Sequence, residues 1–248
     1  MIRAFADYHT HTRYSHGKGS IEDNVKAALA MGLEEIGIAD HGPASHSIRR
    51  LGVKRAETLL DIKNEIKRLQ KAYPQIRILA GVEANIISAD GTIDVPYKIL
   101  CQLDKILVGF HLMVIPKSWQ DGKKLIYDNI INYRIHKDDR EAIRYQNTRA
   151  VIKAVNRYPI DVITHPGFQI DIDTIELAKA CKKNDTALEI NVSHGYLTEE
   201  FVKAAAAEGA KFVISSDAHR PEDVGQLSEG LRMVQNIGLS NDQILNIH

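Results

Sequence analysis

Short apolar segments rich in Val, Ile and Leu alternate along this chain with segments whose apolar positions recur at close to helical period. The alternation runs from one end to the other without a linker-like break or a repeat. The apolar segments predict strands over residues 4–8, 35–39, 77–82, 105–110, 161–164, 187–192 and 212–216, each patterned like a strand covered on both faces. Helices are predicted over 21–31, 53–72, 95–101, 140–157, 174–183, 199–208 and 226–236, with Ser20 placed to cap the first, Gly32 to stop it and Pro74 to close the second. Strand followed by helix, repeated seven times, forces a parallel sheet with right-handed crossovers, either closed as a barrel or open and doubly wound. The pattern reads as one α/β domain over 1–248. It loses its regularity only in an insertion at about 112–139, where Pro116, Trp119, Gly122 and the pair Lys123-Lys124 precede a weak apolar stretch over 126–131. A long insertion in a compact α/β domain is a candidate substrate lid.

Composition narrows the class. A length of 248 residues suits an α/β barrel folded as one domain. The 32 basic and 32 acidic side chains cancel, which gives no electrostatic footprint for duplex nucleic acid or for a membrane surface. Cys101 and Cys181 fall in apolar, helix-like stretches and read as two buried, reduced thiols. The first residues are too quickly followed by histidines to form a signal peptide, and no apolar run approaches a membrane span, so a cytoplasmic protein is expected.

Candidate chemistry comes from where the histidines fall. His9 and His11 close the first predicted strand, His41 follows the second, Glu83 the third, His111 the fourth, His165 the fifth, and Asp217 with His219 the last. Ligands bind at the carboxyl edge of the strands in barrels and open α/β sheets alike, so these scattered residues are predicted to meet in one site. The spacings His9-x-His11 and Asp217-x-His219 put both members of each pair on one side of an extended chain. Imidazole and carboxylate suit Zn²⁺, Fe²⁺ or Mn²⁺, and the absence of clustered cysteines argues against a structural zinc site or an iron–sulfur cluster. A lone histidine is commonly a hydrogen-bonded structural residue, but so many titratable groups at one edge would repel one another without a metal.

The segments Asp7-Tyr-His-Thr-His-Thr12, Ala39-Asp-His-Gly42, Gly81-Val-Glu-Ala84, Gly109-Phe-His111, Thr164-His-Pro-Gly167 and Ser215-Ser-Asp-Ala-His219 together resemble the polymerase and histidinol phosphatase (PHP) family of metal-dependent phosphoesterases. The resemblance covers almost the whole chain. It implies a distorted seven-stranded TIM-like barrel and two or three divalent cations. Carried over, it implies one cation held by His9, His11, Glu83 and Asp217, and a second that shares Glu83 and is held also by His111 and His165. A third falls to His16, His41 and His219, with His16 in the loop Tyr14-Ser-His-Gly17.

Such a centre suits hydrolysis of a phosphate ester: a water bridging two metals loses its proton near neutral pH and attacks phosphorus, while the metals neutralise the phosphoryl oxygens. Glu83 and Asp217 are the candidate catalytic residues, and Arg13, Arg220 and His194 the candidate substrate contacts. His46, His136 and His248 read as bystanders. The leading expectation is a phosphatase for a small phosphate monoester, histidinol phosphate among the candidates. Nuclease or phosphodiesterase action is the alternative, to be distinguished by an open groove lined by Lys117, Lys123 and Lys124 rather than a closed pocket. An amidohydrolase would want eight strands and a bridging lysine where Glu83 stands. A non-enzymatic metal-binding module would bind the cations and turn over no phosphoester.

Overall fold

The structure, a computed structural model, describes residues 2–45, 51–195 and 197–248. Its elements run β1 (Ala6–Thr10), α1 (Ile21–Ala30), β2 (Glu35–Ile38), α2 (Thr58–Ala72), β3 (Arg77–Asn85), α3 (Tyr97–Leu100), β4 (Lys105–Gly109), α4 (Trp119–Gly122), a π-helix (Lys123–Asn132), α5 (Tyr133–Ile135), α6 (Arg140–Arg157), β5 (Val162–Ile163), α7 (Thr174–Lys183), β6 (Ala187–Asn191), α8 (Glu199–Ala207), β7 (Lys211–Ser215) and α9 (Ser228–Ile237). The seven strands form one sheet in chain order, every pairing parallel, and curl into a nearly closed TIM-like barrel.

Two devices bring β7 back to β1. At the carboxyl end the His11 amide donates to the Ala218 carbonyl at 2.8 Å and the Ala218 amide to the His9 carbonyl at 3.2 Å. At the other end the seam is filled by Asn246, whose Nδ2 donates to the carbonyls of Ala6 at 2.8 Å and Ile214 at 2.7 Å while its Oδ1 accepts from the Ile214 amide at 3.0 Å. A side-chain amide thereby does what an eighth strand would do for the exposed backbone groups of an open edge.

Strand bounds explain where the polar side chains point. β1 was expected to end at Tyr8 but runs to Thr10, and its pairing with β2 shifts register between Asp7 and Thr10. Across this irregularity Tyr8 packs in the barrel's inner cluster with Leu79, Leu107, Val162 and Val213, while the next residue, His9, contacts Glu83 and Glu189. A bulge here re-aims a side chain that simple alternation would have sent outward. β3 likewise runs to Asn85, so Glu83 lies within the strand and, two and four residues beyond Gly81 and Leu79, shares their inward face.

Other differences have local causes. α2 begins at Thr58 rather than 53, because the Val53 amide is bonded to the His41 carbonyl at 3.0 Å and ties that stretch to the site loop instead of a helical turn. The insertion is helical rather than irregular; Leu125 is buried, and Asn129 and Asn147 exchange side-chain hydrogen bonds of 3.0 and 2.7 Å that dock it on α6. Cys101 is exposed at the end of α3, which corrects the reading of two buried thiols; Cys181 is buried on α7, and burial pushes its thiol up to about 12. Among the described residues no helix is long and apolar enough to cross a membrane.

Candidate metal centre

The carboxyl ends of the strands carry a cluster of imidazoles around two carboxylates. Glu83 is its hub: Oε2 lies 2.8 Å from His41 Nδ1, 3.3 Å from His9 Nε2 and 3.7 Å from His11 Nε2, and Oε1 lies 2.9 Å from His165 Nε2 and 3.2 Å from His111 Nε2. Asp217 Oδ1 is 3.0 Å from His11 Nε2 and 3.5 Å from His9 Nε2, and its Oδ2 is 3.2 Å from His194 Nε2. His11 stacks between His41 and His219, at ring separations of 4.5 and 4.3 Å, and the ring of His16 lies 4.3 Å from that of His219. Three trios offer ligand atoms all within 4.8 Å of one another: His9, His11 and Asp217; His41, Glu83 and His111; and His11, His41 and His219.

Hydrogen bonding fixes which nitrogen faces inward. His9 Nδ1 donates to Glu189 Oε1 at 2.7 Å, His111 Nδ1 to Asn85 Oδ1 at 2.8 Å, His16 Nδ1 to the Leu51 carbonyl at 2.9 Å and His219 Nδ1 to the Asp217 carbonyl at 2.9 Å. Each acceptor holds a proton on Nδ1 and turns Nε2 toward the cluster, the arrangement that orients metal-binding histidines. For His111 the orientation is over-determined, because Asn85 Nδ2 must donate to the Asp94 carboxylate at 2.6 Å, which turns Oδ1 toward the ring.

Ring nitrogens are crowded together: His9 and His11 Nε2 are 3.1 Å apart, and His111 and His165 Nε2 3.3 Å. His11 Nδ1, His41 Nδ1 and Glu83 Oε2 are buried without a hydrogen bond; the 2.8 Å approach of the last two has no hydrogen-bonding geometry. Orphaned acceptors at such separations are costly in a dry site and fit divalent cations between them. The backbone reflects the same constraint, since His165 at φ 27° and Asp217 at φ 53° both sit in the left-handed region that non-glycine residues avoid.

The electrostatics favour positive charge. Burial opposes ionisation of Glu83, but His41, His111 and His9 outweigh it and hold the carboxyl well below its ordinary range. Burial likewise opposes charge on Asp217, and His9 and His11 overcome it. Burial disfavours charge on His9 too, yet Asp217, Glu189 and Glu83 raise it well above the usual histidine value, whereas burial and the neighbouring His41 push His11 well below it. None of these carboxylates has a Lys or Arg partner among the described residues; their ion pairs are all with histidines.

Residues 7–193 of the chain match the PHP domain family. The chain belongs to the PHP family. Among its relatives, a protein named probable phosphatase from Thermoanaerobacter sp. strain X514 is 32% identical over 255 residues, covering 99% of this chain and 91% of the relative. One of the same name from Acetivibrio thermocellus is 28% identical over 256 residues, covering 99% and 92%. The fold is similar to that of histidinol phosphate phosphatase from Lactococcus lactis subsp. lactis, solved with zinc, L-histidinol and phosphate, at a TM-score of 0.64 and 15% identity over 96% of this chain and 95% of that one.

All nine histidines and acids implied by the PHP resemblance lie in this cluster or on the pocket above it, and His194 joins them through Asp217. The two arginines do not: Arg13 is exposed, and Arg220 is exposed with its guanidinium 3.7 Å from Glu222, so neither lines the pocket. Lys117 is paired with Asp90 at 3.4 Å and Lys123 with Asp128 at 3.3 Å, and these lysines too are absent from the pocket wall. Of the three bystanders, His136 is exposed in the insertion, His248 is exposed and lies 3.1 Å from Glu34, and His46 is outside the described residues.

Sequence reasoning missed Glu189. Fully buried on β6, it binds His9 Nδ1 through Oε1 and accepts from the His165 amide through Oε2 at 2.7 Å. The available signal was an acid inside an apolar strand, Ala187-Leu-Glu-Ile-Asn191. Asp40 was also missed; it folds the loop behind His11 by accepting from Thr12 N at 2.8 Å, Thr12 Oγ1 at 2.6 Å and Ser15 N at 3.1 Å.

Proposed function

We propose that this protein is a metal-dependent phosphatase that hydrolyses a small phosphate monoester in a centre of two or three divalent cations, Zn²⁺, Mn²⁺ or Fe²⁺. The observation that carries the reading is the convergence of buried imidazole nitrogens and carboxylate oxygens on Glu83 and Asp217, with no lysine or arginine paired to these acids among the described residues. His9, His11, Asp217 and Glu83 would hold one cation, Glu83, His111 and His165 a second, and His16, His41 and His219 a third. Bound cations supply Lewis acidity toward the phosphoryl oxygens and acidify water.

The chain's own residues do the positioning. Glu189 and Asn85 hold the imidazoles in the tautomer that presents Nε2. His194, exposed on the pocket wall with Nε2 3.2 Å from Asp217 Oδ2, is the side chain placed to meet a substrate oxygen. The pocket above the cluster is small, about 250 Å³, which suits a small ester; the lysines that a nucleic-acid groove would need lie elsewhere.

The test is a panel of monoesters, diesters and simple amides offered to protein reconstituted separately with Zn²⁺, Mn²⁺ and Fe²⁺. Turnover of monoesters is expected; turnover of amides alone would overturn the reading. Glu83→Ala should abolish activity and lower metal content by more than one ion, because it removes a shared ligand. Unchanged stoichiometry would refute the bridging role.

A further inference from the structure

The Asn85 amide that orients His111 has two polar neighbours besides the ring, and only one of them tells its oxygen from its nitrogen. Ser45 Oγ lies 3.0 Å from Asn85 Nδ2 and 3.2 Å from Oδ1. A hydroxyl donates as well as accepts, so it fits either setting of the amide. The Asp94 carboxylate meets three N–H groups. Its Oδ1 accepts from the Asn85 backbone amide at 2.8 Å, and its Oδ2 accepts both from Asn85 Nδ2 at 2.6 Å and from the Ala44 amide at 2.9 Å. Asp94 reaches this place because the chain turns back after β3. Ile86 and Ile93 pair antiparallel, and the Asp94 amide donates to the Asn85 carbonyl at 3.0 Å.

One oxygen, Oδ2, thereby serves two segments of the centre. Ala44 stands three residues beyond His41, and Gly42, between them, rests against Asp94 so closely that a Cβ there would fall on the carboxylate. The Gly42 amide is bonded on its other side to the Glu83 carbonyl at 2.9 Å, so the backbone leaving His41 is held between β3 and Asp94. We infer, on the reading of the cluster as a metal centre, that Asp94 is a positioning residue for two metal-binding imidazoles at once. It acts on His111 through the Asn85 amide and on His41 through the backbone of Gly42 and Ala44. That reading assigns the two histidines to different cations, so a side chain that binds neither cation governs both binding steps. With Oδ2 in place, Asn85 Oδ1 keeps the ring proton on His111 Nδ1 and frees Nε2 for a cation. With the amide reversed, Asn85 Nδ2 would meet Nδ1, the proton would move to Nε2, and His111 would cease to be a ligand.

The test titrates cation-free protein with Zn²⁺ against a chromophoric chelator, with no substrate present. His111→Ala and His41→Ala identify the step that each ring serves. Asp94→Ala should weaken both steps by about 10- to 100-fold. Asn85→Ala leaves Asp94 on the Ala44 amide and should weaken the His111 step alone. Asp94→Asn can keep an oxygen where Oδ2 stands, turning its NH₂ toward the Asn85 backbone amide. Both affinities should then stay within about threefold of the parent protein, although thermal denaturation of the cation-free variant should show lost stability. A residue that merely supported the fold would lose affinity and stability together. Both steps within about twofold of the parent in Asp94→Ala, or losses in Asp94→Asn as large as those in Asp94→Ala, overturn the proposal. If Asp94→Ala does not fold, the other two variants decide: an unchanged His111 step in Asn85→Ala, or weakened steps in Asp94→Asn, overturns it. Parent protein that binds Zn²⁺ but hydrolyses no monoester overturns the phosphatase reading and leaves the role of Asp94 standing. Parent protein that binds no cation overturns both.

Discussion

Glu189 joins the two halves of the cluster. Its Oε1 accepts from His9 Nδ1 and its Oε2 from the backbone amide of His165, both at 2.7 Å, and Oε2 also accepts from Asn191 Nδ2 at 3.0 Å. Every group facing this carboxylate is a donor. Glu189→Gln keeps the shape but replaces one acceptor oxygen by an NH₂, so whichever way the amide turns, a donor meets a donor: at His9 on one side, at the His165 amide and Asn191 on the other. The charge is lost as well, and Glu189 is one of three carboxylates that overcome burial to hold positive charge on His9. Loss of such an orienting partner costs about 10- to 100-fold in metal affinity, or about 1.4–2.8 kcal/mol. Because His9 and His165 are proposed to serve different cations, both affinities should fall. Competition titration with a chromophoric chelator at neutral pH measures this directly, and thermal denaturation of the cation-free protein checks that the barrel survives. Affinities within about twofold of the parent protein at both sites would refute the argument, because the donor–donor conflict would then have no consequence for the ligands.

Asn246→Ala should lower stability by about 2–4 kcal/mol in denaturant unfolding, since it strips partners from the buried Ala6 and Ile214 backbone groups at the barrel seam; a loss below about 0.5 kcal/mol would mean the seam closes without it. In cation-free protein, burial lowers His41 from 6.5 to about 4. Between those values the unfolded chain binds a proton that the folded chain does not, so stability should fall as pH drops through that window. His41→Gln should flatten the dependence of melting temperature on pH between about 7 and 4.5; an unaltered slope would refute the assignment.

Periodicity was enough to read a seven-strand parallel α/β fold, because strands buried on both faces leave short continuous apolar runs, and here these alternate regularly with segments of helical period. The same runs hid where β1 and β3 end, since nothing alternates to mark the inward face; His9 and Glu83 looked like residues after a strand and turned out to lie within one. His9-x-His11 and Asp217-x-His219 were legible because neighbours in sequence share a direction. Glu189 was not, for its partners His9 and His165 lie 180 and 24 residues away and only closure of the barrel brings them to it. Nor could local sequence separate Arg13 and Arg220, which adjoin the histidine motifs and face solvent, from Phe168, which overhangs the pocket through a turn whose positive φ values no hydrophobic pattern encodes. The sequence by itself determined the element order and the chemistry available at the strand ends. Which nitrogens face the centre, and which side chains frame its mouth, were decided by tertiary hydrogen bonds and a register shift between strands, because these depend on contacts between segments far apart in the chain.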